Sequence, residues 1–157
     1  MVQTLLIRCS DPRLNNATRR FIERLESDGQ SCYVISVLGS SLALMETDGR
    51  PFFRHQLEKA HKLGPIQRVV ILHHLDCRYC AERKFIDFDA EVEYHQQQME
   101  AANSNVANEL TWLQNGAEKI ELPQFDIALG IHTEDDESAT GENWAILLNS
   151  EIVTSLR

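Results

Sequence analysis

The chain has 157 residues, 43% of them hydrophobic and 25% charged, and carries a formal net charge of -9 from 24 acidic and 15 basic side chains. That length suffices for one domain burying roughly two thirds of its unfolded surface without staples, and the acidic balance argues against a nucleic-acid surface. No apolar run approaches the roughly 20 residues of a membrane helix. The amino terminus lacks a basic region followed by a long apolar core, and four cysteines without such a leader fit a reducing cytoplasm.

Residues 4–8 form the first predicted strand, and Ser10-Asp11-Pro12-Arg13 turns it into a helix. Asp11 is placed to cap that helix and Pro12 to take its first position, while Phe21, Ile22 and Leu25 supply its inward face until Asp28 and Gly29 end it. A second strand over 32–38 closes at Gly39. Residues 40–50 combine a short apolar patch with a turn, and fit either a loop or a brief helix. A helix over 52–63, ended by Gly64 and Pro65, returns the chain to a strand over 68–74. There Val69, Val70, Ile71 and Leu72 read as a segment buried on both faces.

After Cys80 a charged connector leads to a long helix over 89–115. Val92, Met99, Val106 and Leu113 recur at seven, with Ala102 and Leu110 on the same face, and Asn115 and Gly116 stop it. Residues 125–131 make a fourth strand and 144–148 a fifth, suited to a sheet edge. Strand and helix patterns alternate with short connections, so the expected fold is α/β: a parallel sheet of about five strands, with a mixed edge allowed, and helices on both faces. A single domain over 1–157 is expected.

The central strand stops at ligand-type side chains, His73, His74, Cys77 and Cys80, and the first strand ends at Cys9, Asp11 and Arg13. Parallel strands deliver side chains to the crevice beyond their carboxyl ends, where open α/β sheets place their sites. Cys9, His74 and Cys77 supply the sulfur and nitrogen donors of a three-ligand zinc site that keeps a fourth position for water. Spacing alone leaves a second account open, with two small buried cysteines and a satisfied strand-end histidine. His73 alternates away from His74 and is expected on the other face.

The pair Cys9-Ser10-Asp11-Pro12-Arg13 and His74-Leu75-Asp76-Cys77, each at a strand end, resembles the motifs of the β-class carbonic anhydrases. The resemblance implies a β-carbonic-anhydrase-like α/β sheet with Zn2+ on Cys9, His74 and Cys77. It also implies an aspartate and arginine pair, Asp11 and Arg13, that governs the open coordination position. The implied activity is reversible hydration of carbon dioxide to bicarbonate, in a homodimer or higher homo-oligomer. Pro12, Arg78 and the stretch Ser36-Val37-Leu38-Gly39 depart from the family pattern, and the first strand begins too early for the family's helical arm. These departures bear on substrate binding rather than on the metal.

Two thiolates cancel the charge of zinc, so the surrounding donors matter. If Asp11 joined the metal the site would be closed; if Arg13 holds it away in a bidentate pair, the fourth position opens. Cys80 raises rivals, as a fourth thiolate of a closed structural site or as half of a Cys77-x-x-Cys80 redox pair, beside its plainer role in the core. A non-catalytic zinc protein and a zinc hydrolase of another small electrophile remain alternatives. Residues 134–137 read as a solvated acidic loop, and His132 as a surface residue at a strand end.

Overall fold

Alternation along one strand sets the layers of this protein. In the computed structural model, which describes residues 2–114, 124–132, 144–149 and 151–154, the third strand, β3 (Ile66–His74), is the long apolar segment of the sequence. Its Val69 and Ile71 join one core cluster and its Val70 and Leu72 another on the opposite face. A strand buried on both faces needs neighbours on both edges. It pairs in parallel with β1 (Val2–Cys9) and with β4 (Gln124–His132).

Among the described residues the sheet has six strands, in the order β2 (Gln30–Val37), β1, β3, β4, β5 (Trp144–Leu148) and β6 (Glu151–Thr154). β2 pairs in parallel with β1, whereas β5 and β6 add an antiparallel edge. The sixth strand goes beyond the five expected from the sequence, where four residues gave too short a pattern to read. A 3-10 turn, Pro12–Leu14, leads into α1 (Asn15–Ser27), whose Ala17, Phe21 and Leu25 pack with Leu6, Val70, Leu72 and Ile146. On the other face lie α2 (Ser41–Met45), α3 (Gly49–Leu63) and α4 (Phe88–Gln114), with Leu44, Phe53, Leu57 and Met99 against Leu5, Ile7, Val69 and Ile71.

The ambiguous segment 40–50 is therefore a short helix and a turn. α3 begins at Gly49, ahead of the expected start, and a Cβ there would lie 2.0 Å from the carbonyl oxygen of Ala43, so only glycine permits this close approach of α3 to α2. The expected stop of α4 at Asn115 and Gly116 and the acidic loop at 134–137 lie outside the described residues. No helix among the described residues is long and apolar enough to cross a membrane.

The topology creates the crevice. From β1 the chain passes to β2 on one side and comes back to β3 on the other, so the carboxyl ends of β1 and β3 adjoin at a topological switch point. Farther toward the amino ends, a polar cluster ties the sheet together. Asp126 of β4, 3% exposed, accepts from Arg68 Nε at 2.5 Å, Asn149 Nδ2 at 2.9 Å and Gln124 Nε2 at 3.2 Å. Burial pushes its pKa up, but the bonds from Asn149 and Arg68 outweigh it and the net direction is down.

A carboxyl whose folded pKa is depressed adds stability that is complete above its unfolded pKa of about 3.9 and is lost as pH falls through the folded value. Asp126→Asn is accordingly expected to cost about 3 kcal/mol near pH 7, because Arg68 is left without its anion. Urea unfolding should show the penalty shrinking toward about pH 3. An equal penalty at both pH values would mean that the carboxylate charge is not what stabilises the cluster.

Candidate metal centre

Cys9 is the last residue of β1, His74 the last of β3, and Cys77 follows three residues later. All three are buried, and their ligand atoms lie within 4.8 Å of one another. His74 shares the α1 side of the sheet with Val70 and Leu72, as the period of two requires. Its Nδ1 stands 2.8 Å from the carbonyl oxygen of Leu75, an acceptor, so the ring proton belongs on Nδ1 and Nε2 carries the lone pair. Nε2 is buried and has no hydrogen-bond partner among the described residues. An imidazole lone pair left bare beside two thiols costs free energy unless something electrophilic takes it, and this donor set fits zinc.

Without a cation the thiols resist ionisation. Contact with Cys77, together with burial, pushes Cys9 up to about 12, and contact with Cys80 raises Cys77. A divalent ion reverses that preference, because it binds the thiolate forms.

Asp11 turns both oxygens to Arg13. Oδ1 accepts from the Arg13 backbone N–H at 2.9 Å and from Nε at 3.1 Å, and Oδ2 accepts from Nη2 at 2.8 Å. The Arg13 bond is the main reason that the Asp11 carboxyl is held down to about 2, and Asp11 in turn raises Arg13. Arg13 is itself braced by the loop after β3, donating through Nη1 to Asp76 Oδ2 at 2.6 Å and through Nη2 to the Asp76 carbonyl at 2.8 Å. The Asp76 N–H donates to Glu91 Oε1 at 2.5 Å. Asp11 Oδ2 lies 3.9 Å from His74 Nε2, yet Asp11 does not belong to the three-residue cluster.

The neighbouring histidine has the opposite fate. His73 Nε2 lies 2.7 Å from Ser41 Oγ and its Nδ1 lies 3.1 Å from His95 Nδ1, on the side of α2 and α4. Burial drives His73 to about 3 and His95 to about 4, so both are neutral near pH 7. His73 thus has no place in the cluster, in keeping with strand alternation. Cys80 packs in the core with Cys9 and Cys77 but stays outside the ligand group; contact with Cys77, helped by Tyr94 and Arg83, holds its thiol down to about 7. All four cysteines are free thiols. The side chain of His132, which ends β4, lies outside the described residues.

A cleft of about 290 Å3 opens onto the centre, lined by Cys9, Asp11, Arg13, Cys77, Leu38 and Tyr79. Tyr79 lies over Gly39, where φ is +76° and a Cβ would sit 2.5 Å from the tyrosine ring, and its hydroxyl donates to Glu46. Leu38, Gly39, Arg78 and Tyr79 thus meet at one wall of the cleft.

Three residues at the centre escape sequence reasoning. Asp76 lies inside the second motif, and its positive φ of 51° suits an aspartate, but only the fold reveals that it braces Arg13. Trp144 arrives from β5, with its ring 5.5 Å from that of His74 and 5.6 Å from the Arg13 guanidinium. Tyr79 gives no signal beyond its place between two cysteines.

No family model matches this chain, and no curated protein matches it. Among solved structures, a carbonic anhydrase from Streptococcus mutans is similar at 16% identity and a TM-score of 0.39, covering 82% of this chain and 75% of that one.

The ligand set has a direct test in equilibrium zinc uptake by the full chain. One ion per chain is expected, and Cys9→Ser, His74→Gln and Cys77→Ser should each weaken uptake by more than about 100-fold, beyond the cost of losing an outer partner. Cys80→Ser should retain the ion. Loss of uptake in Cys80→Ser alone would make the centre a four-ligand structural site.

Proposed function

We propose that this chain is a zinc-dependent carbonic-anhydrase-like enzyme, one α/β domain that hydrates carbon dioxide reversibly to bicarbonate. The observation that carries this reading is the bare, buried Nε2 of His74 beside two thiols, with Asp11 held away by a bidentate arginine. The motif resemblance at Cys9, Asp11, Arg13, His74 and Cys77 supplies the substrate. It also carries the expectation of a homodimer.

Cys9, His74 and Cys77 would hold the ion, which supplies the Lewis acidity that makes a water molecule nucleophilic near neutral pH. The remaining work falls to residues of this chain. Asp11, kept ionised by Arg13, is an acceptor that would orient that water through Oδ2. Arg13 would keep the carboxylate from serving as a further ligand, since both carboxylate oxygens are engaged by its N–H groups. Asp76 fixes Arg13 from the far side, so the three side chains form one assembly spanning both metal-bearing loops. Trp144 and the buried apolar residues around it exclude bulk water from the inner side of His74.

A purely structural zinc reading is disfavoured by the same geometry. Asp11 and Cys80 are the nearby groups that could close the coordination sphere, and neither joins the ligand group.

Stopped-flow carbon dioxide hydration by the zinc-loaded full chain is expected to rise from about pH 7 to about pH 9, and to vanish on chelation and in Cys77→Ser. Arg13→Gln should keep the ion yet lose activity by about 100-fold or more, because Asp11 is no longer held in place. Stoichiometric zinc without activity across that range would sink the anhydrase reading.

A further inference from the structure

Arg8 is unaccounted for by the metal centre. It sits on the α1 side of β1, opposite Ser36 in the strand register, and is only 7% exposed. Its guanidinium meets neutral acceptors alone. Nε donates to the Cys9 carbonyl at 2.8 Å, and Nη2 donates to Asn15 Oδ1 at 2.8 Å and, at 3.5 Å, to the Asp11 carbonyl. Among the described residues no carboxylate lies within ion-pairing distance of it, and Nη1 has no acceptor.

A groove of about 590 Å3 between α1 and β2 has Arg8 in its wall. Asn15, Thr18, Arg19 and Ser36 line it with Arg8. The Thr18 hydroxyl is buried and has no hydrogen-bond partner among the described residues, a second polar group of this groove left unsatisfied. Because α1 runs back along β1, these groups gather at the end next to the metal loop. Glu23 and Glu26 line the same groove, roughly one and two helical turns beyond Arg19. Ile22 and Val34 add apolar lining.

We propose that this groove binds a small oxyanion, a phosphate or carboxylate group, held by Arg8 Nη1 with Thr18 Oγ1 and Arg19 beside it. An anion there gives Nη1 the partner that it lacks among the described residues, and the bond is charge-assisted and able to be bidentate. The two glutamates at the far end repel a second negative group, so the site selects a compact single anion over a polyanion such as a nucleic acid. It is separate from the metal centre, although the same guanidinium holds the Cys9 carbonyl.

The test is a titration of the isotopically labelled full chain with inorganic phosphate and, separately, with acetate at constant ionic strength, followed by amide chemical shifts. Saturable shifts at Asn15, Thr18, Arg19 and Ser36 are expected, with a Kd of about 1 mM or tighter; the anion that saturates identifies the phosphate or the carboxylate source. Thr18→Val keeps the shape and should weaken binding about tenfold, Arg19→Gln should weaken it as well, and Arg8→Gln should abolish it. Binding should persist in Cys77→Ser, which separates the groove from the metal centre. The proposal is overturned if neither anion saturates, if Thr18→Val and Arg19→Gln bind as the parent does, or if binding disappears in Cys77→Ser. Should Arg8→Gln fail to fold, the Thr18 and Arg19 variants decide the matter alone.

Discussion

The Arg13 guanidinium is the interaction on which the candidate centre depends. One planar group reaches Asp11 on the loop after β1 and Asp76 on the loop after β3, and so locks together the two segments that carry Cys9 and Cys77. A lysine in that place would offer a point charge where a fork is required. Two anions and one cation leave the assembly with a net negative charge, half-shielded from water. That charge favours a divalent cation nearby, and Arg13 keeps the Asp11 carboxylate firmly ionised. Positioning and electrostatics are thus supplied by the same few atoms.

That lock works only because the fold brings the loops side by side. Cys9 and His74 are 65 positions apart in the chain, a separation no local pattern could bridge, but β1 and β3 are adjacent parallel strands ending at the same level. Parallel pairing needs a long crossover, here through β2, α2 and α3, and the crossover puts a switch point where the strands end. The cost of burying donors at this spot is met by packing on both faces, with Leu6, Leu14, Val70 and Leu72 beneath the cysteines and Trp144 against His74. An inner wall of this kind keeps the dielectric low, which makes every charge at the centre count for more.

Much of this was legible from the sequence. The β-branched apolar run 69–72 reads as a doubly buried strand, and Asp11-Pro12 as a turn start; both are local signals. The grouping of Cys9, His74 and Cys77 was legible for a different reason: all three stand at or just after strand ends, where adjacent parallel strands bring side chains together, although two buried cysteines and a satisfied histidine fit the same pattern. The antiparallel edge was less so: β6 has four residues and no periodic pattern, and its pairing is decided by the sheet. Trp144 and Asp76 were invisible as site residues because their roles arise from contacts across the fold. Arg8 is the most instructive. In the sequence it is one more cation ending an apolar strand, and only its burial without a carboxylate sets it apart.

The adjacent histidines show how a single chemical type is given two roles by geometry. Strand period puts His73 and His74 on opposite faces, and the surroundings then decide. His73 finds Ser41 and His95, both ring nitrogens are satisfied, and burial keeps it neutral, so it adds neither charge nor a free lone pair. His74 spends Nδ1 on a backbone carbonyl and leaves Nε2 without a hydrogen bond among the described residues. The Leu75 carbonyl therefore does more than orient the ring: it selects the tautomer, and with it the atom that stays available as a donor. A one-residue slip of β3 would exchange these environments, placing a saturated histidine beside the cysteines and a bare one among the side chains of α2 and α4. Register fixed by the alternating core of β3 is, for that reason, as much a determinant of the centre as the ligands themselves.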